Sequence, residues 1–228
     1  MTREALRANE RLDFLAQVPE PLRTSLLRRL RTIRLAKGRT LVEKNSPTED
    51  VFWVREGQAQ VVLYSSGGRE VWVNTVGSGD LIGELAALDG EPRSATVVAL
   101  SDLSVTAIPA ADFRACFESS PATAMWVARR LASQIRSLTE QVYELSVMNV
   151  QSRIQCELLR LARKGERREE GIEVRPAPSH AELASRIGTH REAVTREMRV
   201  LSELKIIRHG RRSLTIIDLE RLEQSARR

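Results

Sequence analysis

The segment Gly83-Glu-Leu-Ala-Ala-Leu-Asp-Gly-Glu-Pro-Arg93-Ser-Ala-Thr96 holds residues whose types and spacing suit one kind of chemistry. A glycine at a helix start lets backbone N–H groups approach an anion, and the helix dipole favours the negative charge. An arginine returning from the next strand can neutralise a phosphate with directed hydrogen bonds. A carboxylate beside the same turn can accept from a ribose hydroxyl. Gly83, Glu84 and Arg93 therefore describe a ribose-phosphate pocket. A Glu84–Arg93 ion pair that closes a loop would use the same residues, and spacing alone leaves both readings open.

A second cluster is Arg191-Glu-Ala-Val-Thr-Arg196. Helical spacing puts Arg191, Glu192, Thr195 and Arg196 near one face and turns Val194 and Met198 inward. Arginine can read guanine O6 and N7 bidentately, and glutamate can accept from cytosine N4. The bland alternative is a charged, solvated helix face. Arg208, His209, Arg211 and Arg212 lie on a basic turn better suited to phosphates than to bases.

These groups need elements to hold them. Residues 6–33 read as helical, with Leu22, Leu26, Leu27, Leu30 and Ile33 at three- and four-residue steps. Eight of the twelve glycines fall between Gly38 and Gly90. Between them lie β-rich runs at Val51–Val54, Gln60–Tyr64, Val71–Val76 and Ala95–Ala99, with Ser66-Gly67-Gly68 as a hairpin tip. Short strands punctuated by turns predict an antiparallel sandwich or barrel.

Past Pro121 the pattern is helical for about 28 residues. Leu131, Ile135, Leu138, Val142 and Leu145 are spaced 4, 3, 4, 3. A seam of period 3.5 with polar flanks predicts a parallel homodimer; packing on its own domain is the alternative. Asn149 offers an N-cap for a helix over 150–163, and Lys164–Gly171 reads as a charged loop. Ser179-His-Ala-Glu182 and Thr189-His-Arg-Glu192 read as capping boxes of two helices, with Gly188 at the turn between them. Ala184, Gly188 and Val194 fit a helix-turn-helix. Glu197 dissents, since an apolar residue is usual there; Met198 and Leu201 can supply the packing. Residues 206–217 read as two strands around a basic turn, a wing. Ser179, Thr189 and His190, at the two helix starts, complete the candidate DNA contacts.

Charge divides the chain. Residues 1–150 carry 18 Lys/Arg and 18 Asp/Glu, whereas 151–228 carry 18 and 12, so the whole net charge of +6 lies in the last third. That excess suits a polyanion or a solvated basic surface. At 42% hydrophobic and 29% charged residues, a wholly disordered chain is not expected. The longest charge-free run, Gly57–Gly68, rules out a spanning helix. The charged N-terminus shows no secretory signal, and the two cysteines, Cys116 and Cys156, form no ligand cluster, so a cytoplasmic protein is expected. Gly77-Ser-Gly79-Asp-Leu-Ile-Gly83 lacks the spacing and the βαβ setting of a dinucleotide loop, and no nucleophile–base pair appears, so an enzyme is not expected.

The run GELAAL…PRSAT closely resembles the phosphate-binding cassette of cyclic-nucleotide-binding domains. Lys37-Gly38, Gly57 and Gly79 also fall at that family's spacings. With the helix-turn-helix, essentially the whole chain resembles the CRP/FNR family of bacterial transcription regulators. The resemblance implies an α+β fold: a jelly-roll sensor domain over 1–120, a dimerisation helix and hinge over 121–149, and a winged helix-turn-helix over 150–228. It implies that Glu84 binds the ribose 2′-hydroxyl and that Arg93 and Ser94, with the backbone at Gly83 and Leu85, bind the cyclic phosphate. The effector would be cAMP or another cyclic nucleotide. Where cAMP-responsive members have two adjacent hydroxyl residues this chain has Leu138-Thr139, and an arginine one turn earlier appears as Gln134. Those departures bear on base preference and leave open another ligand, such as a cyclic dinucleotide, or none. R-E-x-V-x-R implies a TGTGA-like inverted repeat in double-stranded DNA, and the family implies RNA polymerase as a partner. Iron–sulfur and haem sensing are not expected, because no cysteine precedes Cys116 and all three histidines lie beyond residue 179.

Overall fold

A computed structural model describes residues 14–20, 22–68 and 70–226. It divides into two compact units between Arg136 and Ser137. The first contains the strands β1 Arg31–Leu35, β2 Thr40–Val42, β3 Val51–Glu56, β4 Gln58–Tyr64, β5 Glu70–Gly77, β6 Leu81–Ile82, β7 Thr96–Ala99 and β8 Leu103–Ile108. They form two antiparallel sheets, in the orders β1-β8-β3-β6 and β2-β7-β4-β5. The helices are α1 Leu22–Leu27, α2 Glu84–Asp89, α3 Ala110–Ser119 and α4 Pro121–Val147, the last continuing into the second unit.

Strand β3 shows how the sequence produces these layers. Val51, Phe52, Trp53 and Val54 are all buried, but alternate residues serve different cores. Phe52 and Val54 join Val42, Ala59, Val97, Leu103 and Val105 from both sheets. Val51 and Trp53 join Phe14, Leu26, Phe113 and Val127 on the helical side. A strand covered on both faces reads as a continuous apolar run, which is why VFWV lacks polar alternation. On the helical side the Phe14 and Phe113 rings are 5.5 Å apart, and Phe14 is 6.0 Å from Trp126.

The helical reading of 6–33 holds only in part. Residues 6–13 lie outside the described residues, and the rest forms a 3-10 turn at Leu15–Gln17, the short α1, and then a strand. Ile33 continues the leucine spacing in the sequence, yet it pairs with Val105 in β8. Cross-strand pairing overrides local periodicity here, and β-branched Thr32 and Ile33 suit the extended backbone. Strand β1 is an edge, and exposed Arg31 and Arg34 on it oppose edge-to-edge association.

The second unit contains α5 Val150–Ala162, β9 Glu166–Arg168, β10 Gly171–Val174, α6 His180–Arg186, α7 Arg191–Glu203, β11 Ile207–Gly210, β12 Ser213–Ile216 and α8 Leu219–Ala226. Asn149 caps α5, accepting from Ser152 N at 2.8 Å. The core gathers Ile154, Leu158, Leu183, Val194, Met198, Leu201, Leu214, Ile216 and Leu222. Its sheet runs β11-β12-β10-β9. The charged run Lys164–Gly171 is therefore not simply a loop: it holds β9 and the turn into β10. All three β9 residues are exposed, so no apolar alternation announces the strand.

Ser179 closes the capping box expected of it, accepting from Glu182 N while the Glu182 carboxylate accepts from Ser179 N. The box expected at Thr189 does not form. Helix α7 begins at Arg191 behind His190, so its third position is Ala193, whose methyl group cannot accept a hydrogen bond. Thr189 N instead donates to Ala184 O at 2.9 Å, closing the inter-helix turn. That turn requires Gly188, whose φ is +64°; a Cβ there would come within 3.1 Å of Leu145 Cδ2 at the end of α4.

Candidate functional site

The ligand candidates gather around α2. Gly83 precedes the helix at φ +83°, and a Cβ on it would meet Arg93 Nη1 at 2.1 Å. Glycine is thus needed both for the backbone and to admit the arginine. Arg93 is 2% exposed. Its Nη1 donates to Gly83 O at 2.8 Å, its Nη2 to Asp50 O at 2.5 Å and its Nε to Thr48 Oγ1 at 3.2 Å. Backbone bonds from Asn45 N to Arg93 O and from Arg93 N to Ser46 O hold the same two segments together. Burial pulls Arg93 below its ordinary value, opposed by the charges of Asp50, Glu84 and Glu49. The alternative reading, a closing Glu84–Arg93 ion pair, is therefore not what anchors Arg93: backbone carbonyls and a hydroxyl do.

Glu84 is buried at the first position of α2. Burial raises its carboxyl above the usual range; its own backbone N–H, then Arg130 and Arg93, pull the other way, and Asp80 adds to the rise. Leu85 is 41% exposed and Ser94 is exposed. Arg114 of α3 steadies the cassette, donating to Ala87 O at 2.9 Å and to Glu49 at 3.1 Å. The acceptors at Thr48 and Asp50 and the neighbour Arg130 escaped the sequence reading. A backbone carbonyl 43 residues upstream leaves no residue-type signal; Arg130 was legible only as one charge of a polar helix.

Helix α4 carries the remaining ligand and seam candidates. Gln134 lies in the first unit; Leu138 and Thr139 lie in the second, the former half-buried and the latter exposed. Ile135 and Val142 are each 63% exposed and Leu145 is 52% exposed, while Leu131 packs on the first unit's helical-side core.

In the second unit Arg191, Glu192, Thr195 and Arg196 are exposed, while Val194, Glu197, Met198 and Leu201 face the core. Buried Glu197 accepts from Gln155 Nε2 of α5 at 2.5 Å, a partner the sequence did not reveal. His180 Nδ1 lies 2.9 Å from Thr195 Oγ1, and its ring meets His209 edge-on at 5.7 Å. Desolvation, then the charge of His180, pull His209 below the usual histidine value. Arg211 and Arg212 form the exposed wing turn. Arg208 is paired with Glu170 of the β9–β10 hairpin.

A chain of ion pairs crosses this unit. Glu144 of α4 pairs with Arg160 of α5, Arg160 with Glu157 at 3.4 Å, and Glu157 with Arg186 of α6 at 3.1 Å. Among the described residues no group of three or more His, Cys, Asp or Glu is placed to hold a metal ion, and no helix is long and apolar enough to cross a membrane.

Two domain families match: a cyclic nucleotide-binding domain over residues 32–120 and a Crp-like helix-turn-helix domain over 152–225. A Cyclic AMP receptor protein of Thermus thermophilus is 28% identical over 190 residues, covering 83% of this chain and 85% of that protein. A CooA variant from Carboxydothermus hydrogenoformans superposes with a TM-score of 0.79 at 20% identity, covering 89% of this chain and 90% of that one. The c-di-GMP responsive regulator CLP of Xanthomonas campestris superposes at 0.76 with 17% identity, covering 87% and 99%. A two-sheet sensor followed by a long helix and a winged helix-turn-helix is the architecture of a DNA-binding regulator. The chain belongs to the CRP/FNR family of transcription regulators.

Proposed function

We propose that this chain is a homodimeric, cytoplasmic, non-enzymatic regulator whose binding to an inverted-repeat, TGTGA-like DNA site is controlled by a cyclic nucleotide, with cAMP as the effector. The observation that carries the reading is the cassette: a left-handed glycine ahead of α2, a buried carboxylate at its first position and a buried arginine converging on that glycine. Glu84 then accepts from the ribose, while Arg93, Ser94 and the backbone at Gly83 and Leu85 hold the phosphate.

Exposed Ile135, Val142 and Leu145 support a partner helix along α4. The Glu144–Arg160–Glu157–Arg186 chain and the approach of Leu145 to Gly188 support transmission from the end of α4 to the helix-turn-helix. A ligand that biases α4 then biases both recognition helices, which is coupling through one shared element. RNA polymerase is the downstream partner by family resemblance.

A second reading keeps the DNA function and takes a cyclic dinucleotide as effector. Leu138 favours it, standing where the cAMP-responsive pattern has a hydroxyl. Calorimetric titration of the purified chain with cAMP, cGMP and cyclic di-GMP separates the two. Arg93→Leu should weaken binding of the true effector about tenfold to a hundredfold, because a charge-assisted contact contributes roughly 1.5–3 kcal/mol. Wild-type affinity in a folded Arg93→Leu protein would make the cassette structural.

A further inference from the structure

Arg130 lies on the part of α4 that belongs to the first unit, and it forms an ion pair with Asp80. Asp80 is held in a tight turn: its N–H donates to Gly77 O at 2.9 Å and its Oδ2 accepts from Gly77 N at 2.8 Å. The turn leads within three residues to Gly83. The Arg130 guanidinium sits 5.0 Å from the centre of the Trp126 ring, a face that steadies the cation without using its N–H donors.

Arg130 and Asp80 both act electrostatically on buried Glu84, with opposite signs. Arg93, Arg130, Glu84 and Asp80 thus bring two cations and two carboxylates to the start of α2, where Asp50 and Glu49 also act on Arg93. A phosphodiester entering this group adds a negative charge. Arg93 answers it in part, since three of its five N–H donors already engage Gly83, Asp50 and Thr48. Arg130 is the other cation whose charge acts on the same carboxylate. Its ion-pair partner among the described residues, Asp80, is a carboxylate that an incoming anion can replace.

We propose that Arg130 is the second cation of the ligand site: it binds the phosphodiester of a cyclic nucleotide in exchange for Asp80, its internal counter-ion. The proposal rests on the nucleotide-binding reading above. Because Arg130 projects from α4, the exchange delivers the arrival of ligand charge directly to the long helix.

The side chains of Arg130 and Asp80 are 27% and 32% exposed, so water screens the pair only in part. Removing the competing carboxylate should tighten binding, and removing the cation should weaken it. The test titrates the full chain and its Asp80→Asn, Arg130→Gln and Arg130→Lys variants with cAMP, cGMP and cyclic di-GMP at two salt concentrations. Circular dichroism checks folding. Asp80→Asn should bind the effector about three- to tenfold more tightly, and Arg130→Gln about tenfold more weakly. Arg130→Lys should recover part of that loss, and the salt dependence should be shallower in Arg130→Gln than in the wild type. The probe whose affinity moves with Arg130 identifies a mononucleotide or a dinucleotide source of the phosphodiester. Should Arg130→Gln not fold, Asp80→Asn and Arg130→Lys decide. Weaker or unchanged binding in Asp80→Asn, or wild-type binding in Arg130→Gln, overturns the proposal. Wild-type binding that Arg93→Leu abolishes while Asp80 and Arg130 variants leave it untouched overturns the proposal alone. No binding of any probe by the wild type overturns the nucleotide reading and the proposal together.

Discussion

Replacing Glu84 with Gln should stabilise the protein at neutral pH while weakening nucleotide binding. The residue is 9% exposed, and burial raises its carboxyl above the ordinary 4.5 despite its own backbone N–H and the charges of Arg130 and Arg93. For an acid raised in the folded state, the native protein holds more protons than the unfolded chain above the ordinary value. Stability therefore falls as pH rises through that window, and the penalty is complete once pH exceeds the raised value. Glutamine keeps the shape without the ionisation. A partly compensated buried carboxylate costs about 1–2 kcal/mol, so the variant should gain about 2–8 °C in Tm at pH 7.5. All three tryptophans, Trp53, Trp72 and Trp126, lie in the first unit, so their fluorescence follows the unfolding of the unit that contains Glu84. Melts from pH 5 to 8 should show the gap narrowing toward the acid end. Cyclic-nucleotide affinity should fall about tenfold as the charged acceptor is lost. A Gln variant that melts below wild type at pH 7.5, or a gap that stays constant with pH, would refute the reasoning.

Arg196→Ala should lower specific DNA affinity by roughly 2–6 kcal/mol across two half-sites and relax one symmetric base position, whereas Arg211→Ala should weaken all sequences alike and flatten the salt dependence. Randomised-site selection distinguishes these outcomes, and a sequence preference altered by Arg211→Ala but not by Arg196→Ala would reverse the assignment. Arg160→Met should leave buried Glu144 without its cation. Breaking a fully buried pair costs 3–5 kcal/mol, but Arg160 is 37% exposed, so about 1–3 kcal/mol is expected. Adding Glu144→Gln should recover most of the loss in a chemical unfolding experiment.

The sequence made the sandwich, the long helix and the winged domain legible because glycine turns, the Leu131–Leu145 spacing and the Ser179 cap are local signals. It misled where a long-range partner decided the outcome. Ile33 obeys the helical spacing of its neighbours, but β8 draws it into a sheet. Thr189 has the right residue three places on for a capping box, but the turn through Gly188 starts the helix one residue later, behind His190. The cassette residues were readable as types, whereas the partners of Arg93 were not, since two are main-chain oxygens. Glu197 looked discordant only while Gln155, 42 residues away, was unknown as its partner.

That buried bond between α5 and α7 bears on modularity. The side chains proposed to read DNA occupy one short helix, which invites transplanting residues 191–203 into another winged scaffold. The underside of that helix carries Glu197, and its complement comes from a different helix. A recipient with an apolar residue opposite Glu197 would bury a carboxylate with nothing to bond it. A whole-helix graft must therefore carry α7 together with position 155, whereas a graft of the proposed reading face alone should move Arg191, Glu192, Thr195 and Arg196 and leave the recipient's own inward residues in place.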